Sequence, residues 1–363
     1  MRRLGAGLAV VVAAGLGLVA WAWLAWTGAG GAAGGPPVLV TIPPGMPLVA
    51  AADTLAARGL LEHRRLFLLG ARLAGRDRAL QAGLYELAPG LSARRLLEDL
   101  TSGRTVRVRV TVPEGLDADQ TALLVAGVFG FPAEAFLAAA DSLVAAAAAP
   151  LGLPAGYADL LADESAQRPR TFRLGEGYLA PDTYVFAAGS GPAAVADHLV
   201  ATQRRRLVAA AAVARDSALT PHALLTLASI VEAEARRDDE RGRIAAVYAN
   251  RLAAGRRLEA DPTVAHVLGK KGERLFYRDL AVDSPWNTYR RRGLPPGPIG
   301  SPGEASLQAA ARPDPDCDAL FFVSDGADGH VFSRTAQEHE QAVRRFRQLR
   351  AAERRRQDSG ADD

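Results

Sequence analysis

The stretch "LTPHALLTLASIVEAEA", Leu219–Ala235, reads as one helix with an unusual ending. Thr220 followed by Pro221 is an N-cap and first-turn pair, since a threonine hydroxyl accepts a backbone N–H and proline lacks one. Set on a wheel at about 100° per residue, Leu224, Leu227, Ile230 and Val231 define one apolar face. Two glutamates close the run. Glu234 falls roughly 50° from the centre of that face and Glu232 roughly 110° away. Glu234 is therefore expected on the core side and Glu232 on the rim. A carboxyl group withdrawn from water has a raised pKa, because desolvation penalises the charged form. A general acid working near neutral pH needs that shift. Glutamates at the end of an apolar helix are more often simply solvated, and the helix pattern alone leaves both readings open. Lying two positions apart, the side chains diverge, so they do not form the facing pair of a two-carboxylate glycosidase.

On either side of this helix the chain alternates short strands, Pro-Gly turns and amphipathic helices, which predicts an α+β protein. Upstream, "VLVTI" (Val38–Ile42) reads as a strand and Pro47 to Arg58 as a helix. "HRRLFLLGARLAG" is a second helix, and "QAGLYELAPGLSARRLLEDL" repeats strand, turn and helix with Ser92 as N-cap. "VTIPPGMP" at Val40 is echoed by "VTVPEGLD" at Val110, too few units for a solenoid. A helix is expected from about Pro192 to Val213. Downstream, Asp239 to Ala254 reads as an amphipathic helix with Ile244, Val247 and Leu252 inward. Ser301 and Glu304 have capping-box spacing with Pro302 in the first turn. "ALFFVSDGADGHVFS" is a hairpin around Asp-Gly signals. The tail "RAAERRRQDSGADD" is charged and is expected to fray.

Composition narrows the function. The 363 residues carry 43 basic and 40 acidic side chains, a formal charge of +3, without a basic block interleaved with aromatics. No nucleic-acid partner is expected. Cys317 is the sole cysteine, so no internal disulfide staples the fold, and it has no obvious His or Asn partner for nucleophilic work. The 6 histidines are scattered without metal-ligand spacing, so neither a metal site nor a cofactor is expected.

The amino terminus predicts an anchor. Leu4 to Trp26 carries no charge and spans roughly 34 Å as a helix, enough to cross a bilayer core. Trp21, Trp23 and Trp26 lie where an interfacial belt would form, and Arg2 and Arg3 place the short tail in the cytoplasm. Cleavage after "GAGGAAGG" is the alternative. The expected order is a cytoplasmic tail (1–3), a transmembrane helix (4–26), a flexible tether (27–37), a small strand-helix module (38–103), a mixed helical and β region (104–348) and a charged tail (349–363).

Several downstream phrases hold polar and aromatic groups in rigid Pro/Gly frames: "NRL" (Asn250–Leu252), "DPTV" (Asp261–Val264), "SPWNTY" (Ser284–Tyr289), "GLPPGPI" (Gly293–Ile299) and "GHVF" (Gly329–Phe332). Trp286 is the only tryptophan outside the apolar amino-terminal run. A tryptophan beside Asn287 and Tyr289 is a set suited to stacking on a sugar face and hydrogen-bonding its substituents. Each also has a local reading: Asp261 as a helix cap, Asn287 in a turn, "LPPGPI" as a stiff loop.

Together with "LASIVEAEA" and "EGYLAPDTYVF", these phrases resemble, in order, the endolytic murein transglycosylase (YceG-like) family over roughly Val38 to Arg347. The resemblance implies a catalytic domain outside the cytoplasm on a single-pass inner-membrane anchor, with a LysM-like subdomain over 38–103. It implies non-hydrolytic cleavage of the MurNAc–GlcNAc bond of nascent glycan strands, leaving 1,6-anhydro-MurNAc ends. It places the catalytic glutamate on Glu234 and a motif tyrosine on Tyr289; Asn287, Tyr289, Trp286, Asp261 and Glu232 are the substrate-binding candidates. The departure is Ala233, where the family usually has lysine. Peptidoglycan glycan strands, the bilayer around residues 4–26 and peptidoglycan synthases are the partners this reading names. The rival classes are a hydrolytic muramidase with Asp261 as base, and a non-catalytic peptidoglycan-binding anchor.

Overall fold

The computed structural model describes residues 2–28, 34–162, 172–214 and 219–359, with side chains omitted for 2–11 and 352–359. The chain divides into two compact units, 1–110 with 184–190, and 111–183 with 191–363.

The first unit opens with helix α1 (Arg2–Thr27), then β1 (Val38–Ile42), α2 (Leu48–Ala57), α3 (Arg64–Leu73), β2 (Gly83–Leu87) and α4 (Ala93–Ser102). β1 and β2 pair antiparallel, with Val40 opposite Tyr85. The strand alternation turns Val40 and Ile42 inward onto Leu55, Phe67, Leu96 and Leu100, which form one apolar core. The buried Tyr85 Oη donates to the carbonyl of Gln81 at 2.7 Å, satisfying its polar end. Ser92 caps α4 as its sequence predicts, its Oγ accepting from Arg95 N at 3.2 Å. The indole of Trp26, at the end of α1, lies against Gly70 of α3, where a Cβ would clash with the ring.

The described residues do not support the expected membrane span. α1 is a continuous helix, but among the described residues no helix is long and apolar enough to cross a membrane. The side chains of 4–11, the first part of that apolar run, lie outside the described residues, as do 29–33 of the expected tether.

β3 (Arg107–Val112) pairs with β4 (Asp182–Ala187). The second unit contains α5 (Ala118–Phe129), α6 (Ala133–Ala146), α7 (Ala148–Leu151), α8 (Tyr157–Ala162), α9 (Pro192–Val213), α10 (Pro221–Glu234), α11 (Arg241–Ala253), α12 (Asp261–Leu268) and α13 (Glu304–Ala311). The hairpin β5 (Phe321–Ser324) and β6 (His330–Ser333) follows, and then α14 (Ala336–Ser359) packs on it. α10 is the centre of this unit, touching α9, α11, α12 and α13. The architecture is α+β: the second unit gathers helices around α10, and the described residues form three small two-stranded sheets.

Two boundaries differ from the sequence reading. α13 begins at Glu304 with Gly303 as N-cap, so Ser301 is not a cap. Its backbone is already committed, donating to Leu116 O at 2.7 Å and accepting from Gly115 N at 2.8 Å. The charged tail continues α14 as helix to Ser359, where fraying was expected.

Candidate active site

Thr220 Oγ1 accepts from Ala223 N at 3.2 Å and starts α10 where the Thr-Pro pair predicts. From Leu224 to Val231 every residue is buried, because neighbouring helices cover α10 all round. The wheel's single apolar face is thus too narrow a description, and both glutamates emerge from an enclosed helix. They diverge, as their spacing requires.

Glu232 is not on a solvated rim. Its side chain is only 8% exposed and its Oε1 lies 3.1 Å from Arg241 Nη1. Oε2 accepts the backbone N–H of Gly303 at 3.0 Å. Arg241 also binds Asp238 at 3.0 Å. Glu232 therefore ties α10 to α11 and to the start of α13.

Glu234 is the last residue of α10, and it turns toward a different set of groups. The buried Tyr248 of α11 donates its phenolic hydrogen to Glu234 Oε1 at 2.9 Å. Burial pushes the Glu234 carboxyl up to about 7; the Tyr248 hydrogen bond opposes that, Asp261 adds to it, and Arg251 and Arg236 oppose it. The helix C-terminus, where carbonyl dipoles repel negative charge, acts in the same upward sense. Asp261 opens α12, and its Oδ1 accepts from Tyr289 Oη at 2.6 Å. Burial, then the bond to Asp261, raises the Tyr289 hydroxyl's pKa, keeping it a donor. Glu234, Tyr248, Asp261 and Tyr289 thus form one carboxyl–phenol cluster fed by three helices and a loop.

Trp286 and Asn287, expected to face a sugar, are turned inward. Both are almost completely buried. The Trp286 ring stacks on Phe172 at 4.2 Å, and its Nε1 donates to Gly297 O at 3.1 Å. Asn287 Nδ2 donates to Leu280 O at 3.0 Å and Val282 O at 2.7 Å, while Oδ1 accepts from Tyr289 N at 2.9 Å. With its side-chain groups engaged inside, Asn287 shapes the turn that presents Tyr289. Of this loop's candidates, only the half-buried Tyr289 joins the cluster.

The remaining motifs brace this arrangement. His222 of α10 lies 2.8 Å from Pro296 O through Nε2. A carbonyl only accepts, so Nε2 carries the hydrogen and Nδ1 accepts from Tyr178 Oη at 2.8 Å. Ile299 N donates to Ser229 Oγ at 3.1 Å, fastening the Pro-rich loop along α10. Gly177 of "EGYLAPDTYVF" has φ +80° and lies where a Cβ would meet Pro298 at 2.5 Å, so only glycine fits there. Asn250 of "NRL" donates to Cys317 O and Ala319 O, both at 3.0 Å. In "GHVF", His330 donates from N and Nδ1 to Glu240 at 2.9 and 2.7 Å. Tyr248 escaped the sequence reading. Its only signal was its place four residues after Ile244 on the inner face of the "NRL" helix.

Fold and site define an α+β protein with a desolvated carboxyl at the end of a buried helix, held among phenols. The profile of the YceG-like family matches residues 40–345, and the chain belongs to that family. It is 30% identical over 314 residues to the endolytic murein transglycosylase of Bacillus subtilis (strain 168), covering 85% of this chain and 84% of that protein. It is 31% identical over 317 residues to the protein of the same name from Streptococcus pneumoniae serotype 2 (strain D39 / NCTC 7466), covering 83% of this chain and 56% of that one. A crystal structure of a yceG-like protein from Listeria monocytogenes matches with TM-score 0.55 at 29% identity, over 84% of this chain and 98% of that one.

Proposed function

We propose that this protein is a lytic transglycosylase that cleaves the MurNAc–GlcNAc bond of peptidoglycan without water, with Glu234 as both general acid and general base. The names of the relatives supply the reaction class. The observation that carries the residue assignment is the Glu234 carboxyl, desolvated and poised at about 7 beside Tyr248. Near neutral pH such a group is populated in both protonation states, as a residue that gives and retakes a proton must be.

In this mechanism protonated Glu234 donates to the glycosidic oxygen as the C1–O bond breaks and its electron pair leaves with the GlcNAc oxygen. The muramyl 6-hydroxyl then attacks C1, and its proton returns to the Glu234 carboxylate. The charge at C1 is steadied by the substrate's acetamide or by fixed dipoles, and Tyr289 and the Asp261 carboxylate are the protein groups placed to contribute. The step consumes no water and needs no second catalytic carboxylate.

The same proposal includes endolytic action on nascent strands outside the cytoplasm, with Leu4 to Trp26 as a single-pass anchor. It rests on the uncharged run and on the continuous helix Arg2–Thr27. The strand–helix–helix–strand arrangement of β1, α2, α3 and β2 supports a LysM-like glycan-binding module over 38–103, ahead of a catalytic region over 104–348. Peptidoglycan synthases are candidate partners. The test is Glu234→Gln, which keeps shape and hydrogen-bonding reach but cannot exchange the proton. General acid–base catalysis is worth about 100- to 10,000-fold, so anhydro-muropeptide release should fall at least that far while the variant stays folded and binds glycan. An active Glu234→Gln enzyme overturns the assignment.

A further inference from the structure

A carboxylate has two oxygens, and a residue that gives and retakes one proton works best when the same oxygen does both. Rotation about the last side-chain bond exchanges the two unless something holds one of them. Here Tyr248 Oη donates to Oε1 of Glu234 at 2.9 Å. Among the described residues Oε2 accepts no hydrogen bond, and Glu234 stays half-buried, not sealed off.

Tyr248 is itself fixed. It is fully buried, and its ring meets Phe322 of β5 edge-on at 5.8 Å. The hairpin that carries Phe322 is clamped to the start of α11 by the contacts of Glu240 with His330. The phenol is thus a donor of fixed position, held in that role by burial, which keeps its proton on.

We infer that Tyr248 is a positioning residue that anchors Oε1 of Glu234 and assigns both proton transfers of the reaction to Oε2. The inference rests on the reading of Glu234 given above. In the first transfer Oε2–H gives its proton to the glycosidic oxygen, and the carboxylate left behind is stabilised by the phenol on Oε1. In the second, Oε2 takes the proton of the attacking 6-hydroxyl, and the enzyme returns to its starting state with no net gain or loss. A hydrogen bond to the charged form favours that form, so Tyr248 also sets where the acid is lost. The other groups acting on Glu234 are Asp261, which favours the protonated form, and Arg251 and Arg236, which favour the charged one. Tyr289 faces the same carboxyl and stays neutral. Arg251 and Tyr289 also act on Tyr248 itself, which is why the fluorinated ring, keeping the hydroxyl in place, is compared beside the phenylalanine.

The experiment compares the full chain with Tyr248→Phe and with a ring-fluorinated tyrosine at position 248, on uncrosslinked glycan strands. The phenylalanine removes one oxygen. The fluorinated ring keeps the shape but is a stronger donor. The alkaline limb of kcat/KM, which reports loss of the acid form in the free enzyme, should move up by about one pH unit in Tyr248→Phe. It should move down with the fluorinated ring. kcat of Tyr248→Phe at neutral pH should fall about tenfold with KM unchanged. A tyrosine that only fills space gives no movement of the limb in either protein. That result overturns the inference, and it does so with the fluorinated protein alone if the phenylalanine variant fails to fold. If Glu234→Gln is inactive and the limb does not move, this inference fails while the assignment of Glu234 stands. If Glu234→Gln is active, both fall.

Discussion

At the scale of single residues, the two glutamates of α10 show how a spacing of two on a helix gives two carboxyls different surroundings. Glu232 is saturated by Arg241 and the Gly303 N–H, whereas Glu234 has one phenolic donor and a desolvated carboxyl. Their glutamine variants should therefore part company in stability as well as activity. Glu232→Gln weakens charged hydrogen bonds in a nearly closed site and should cost roughly 1.5–3 kcal/mol, read as a lower melting temperature at all pH values near neutral. It should cost activity far less than Glu234→Gln. For Glu234 the sign is opposite. Its folded pKa lies at about 7, above its ordinary 4.5, so the stability it gives is complete below 4.5 and is lost as pH rises through 7. The loss is roughly 3 kcal/mol. Glu234→Gln lacks that titration and should melt higher than the unaltered protein at pH 8 but not at pH 4.5. Equal melting temperatures at pH 8 would mean that the carboxyl is not desolvated. The wheel separated these two residues because spacing on a helix is local. It could not show that Glu232 meets Arg241, since that contact depends on where α11 passes.

At the scale of elements, α10 is held at its start by Thr220 and along its length by His222 and Ser229, which bind the Pro-rich loop. His222 is buried and neutral, its pKa lowered by burial against a weaker upward pull from the Pro296 carbonyl. Such a group gives stability that is full above the unfolded value of about 6.5 and is lost as pH falls toward the lower folded value. Melting temperature should therefore drop as pH falls below about 6.5, and His222→Gln should flatten that drop at the cost of a lower melting temperature at pH 8. An unchanged acid limb in the variant would assign the drop to other groups. The Thr-Pro cap, the Ser92 cap and the β5–β6 hairpin were legible because each is encoded within a few residues. The start of α13 was not, because Gly115 and Leu116, far away in the chain, take the backbone of Ser301. The inward positions of Trp286 and Asn287 were not legible for a related reason. A loop's composition names its side chains but not which of them point inward, and Phe172 and the Leu280 and Val282 carbonyls decide that here.

At the scale of the whole molecule, the α+β class and the YceG-like family were legible in the order of the motifs, while the meeting of Tyr248 with Glu234 was not. The anchor proposal makes a direct demand. The full chain should stay with the membrane after a high-salt wash and leave it only with detergent, whereas release by salt alone would contradict a spanning helix. Removing residues 38–103 should weaken glycan binding and leave a cooperative melting transition, since the second unit has its own core around α10. The account's central claim is that one carboxyl, Glu234, moves the proton and that water does not enter the bond. The most direct measurement digests purified glycan strands with the full chain in water enriched in oxygen-18, and weighs the new ends by mass spectrometry. The account predicts muramyl ends lighter by one water than a reducing end, free of the heavy oxygen, and absent when Glu234→Gln replaces the unaltered protein. Reducing ends carrying the heavy oxygen would contradict it and identify a hydrolase.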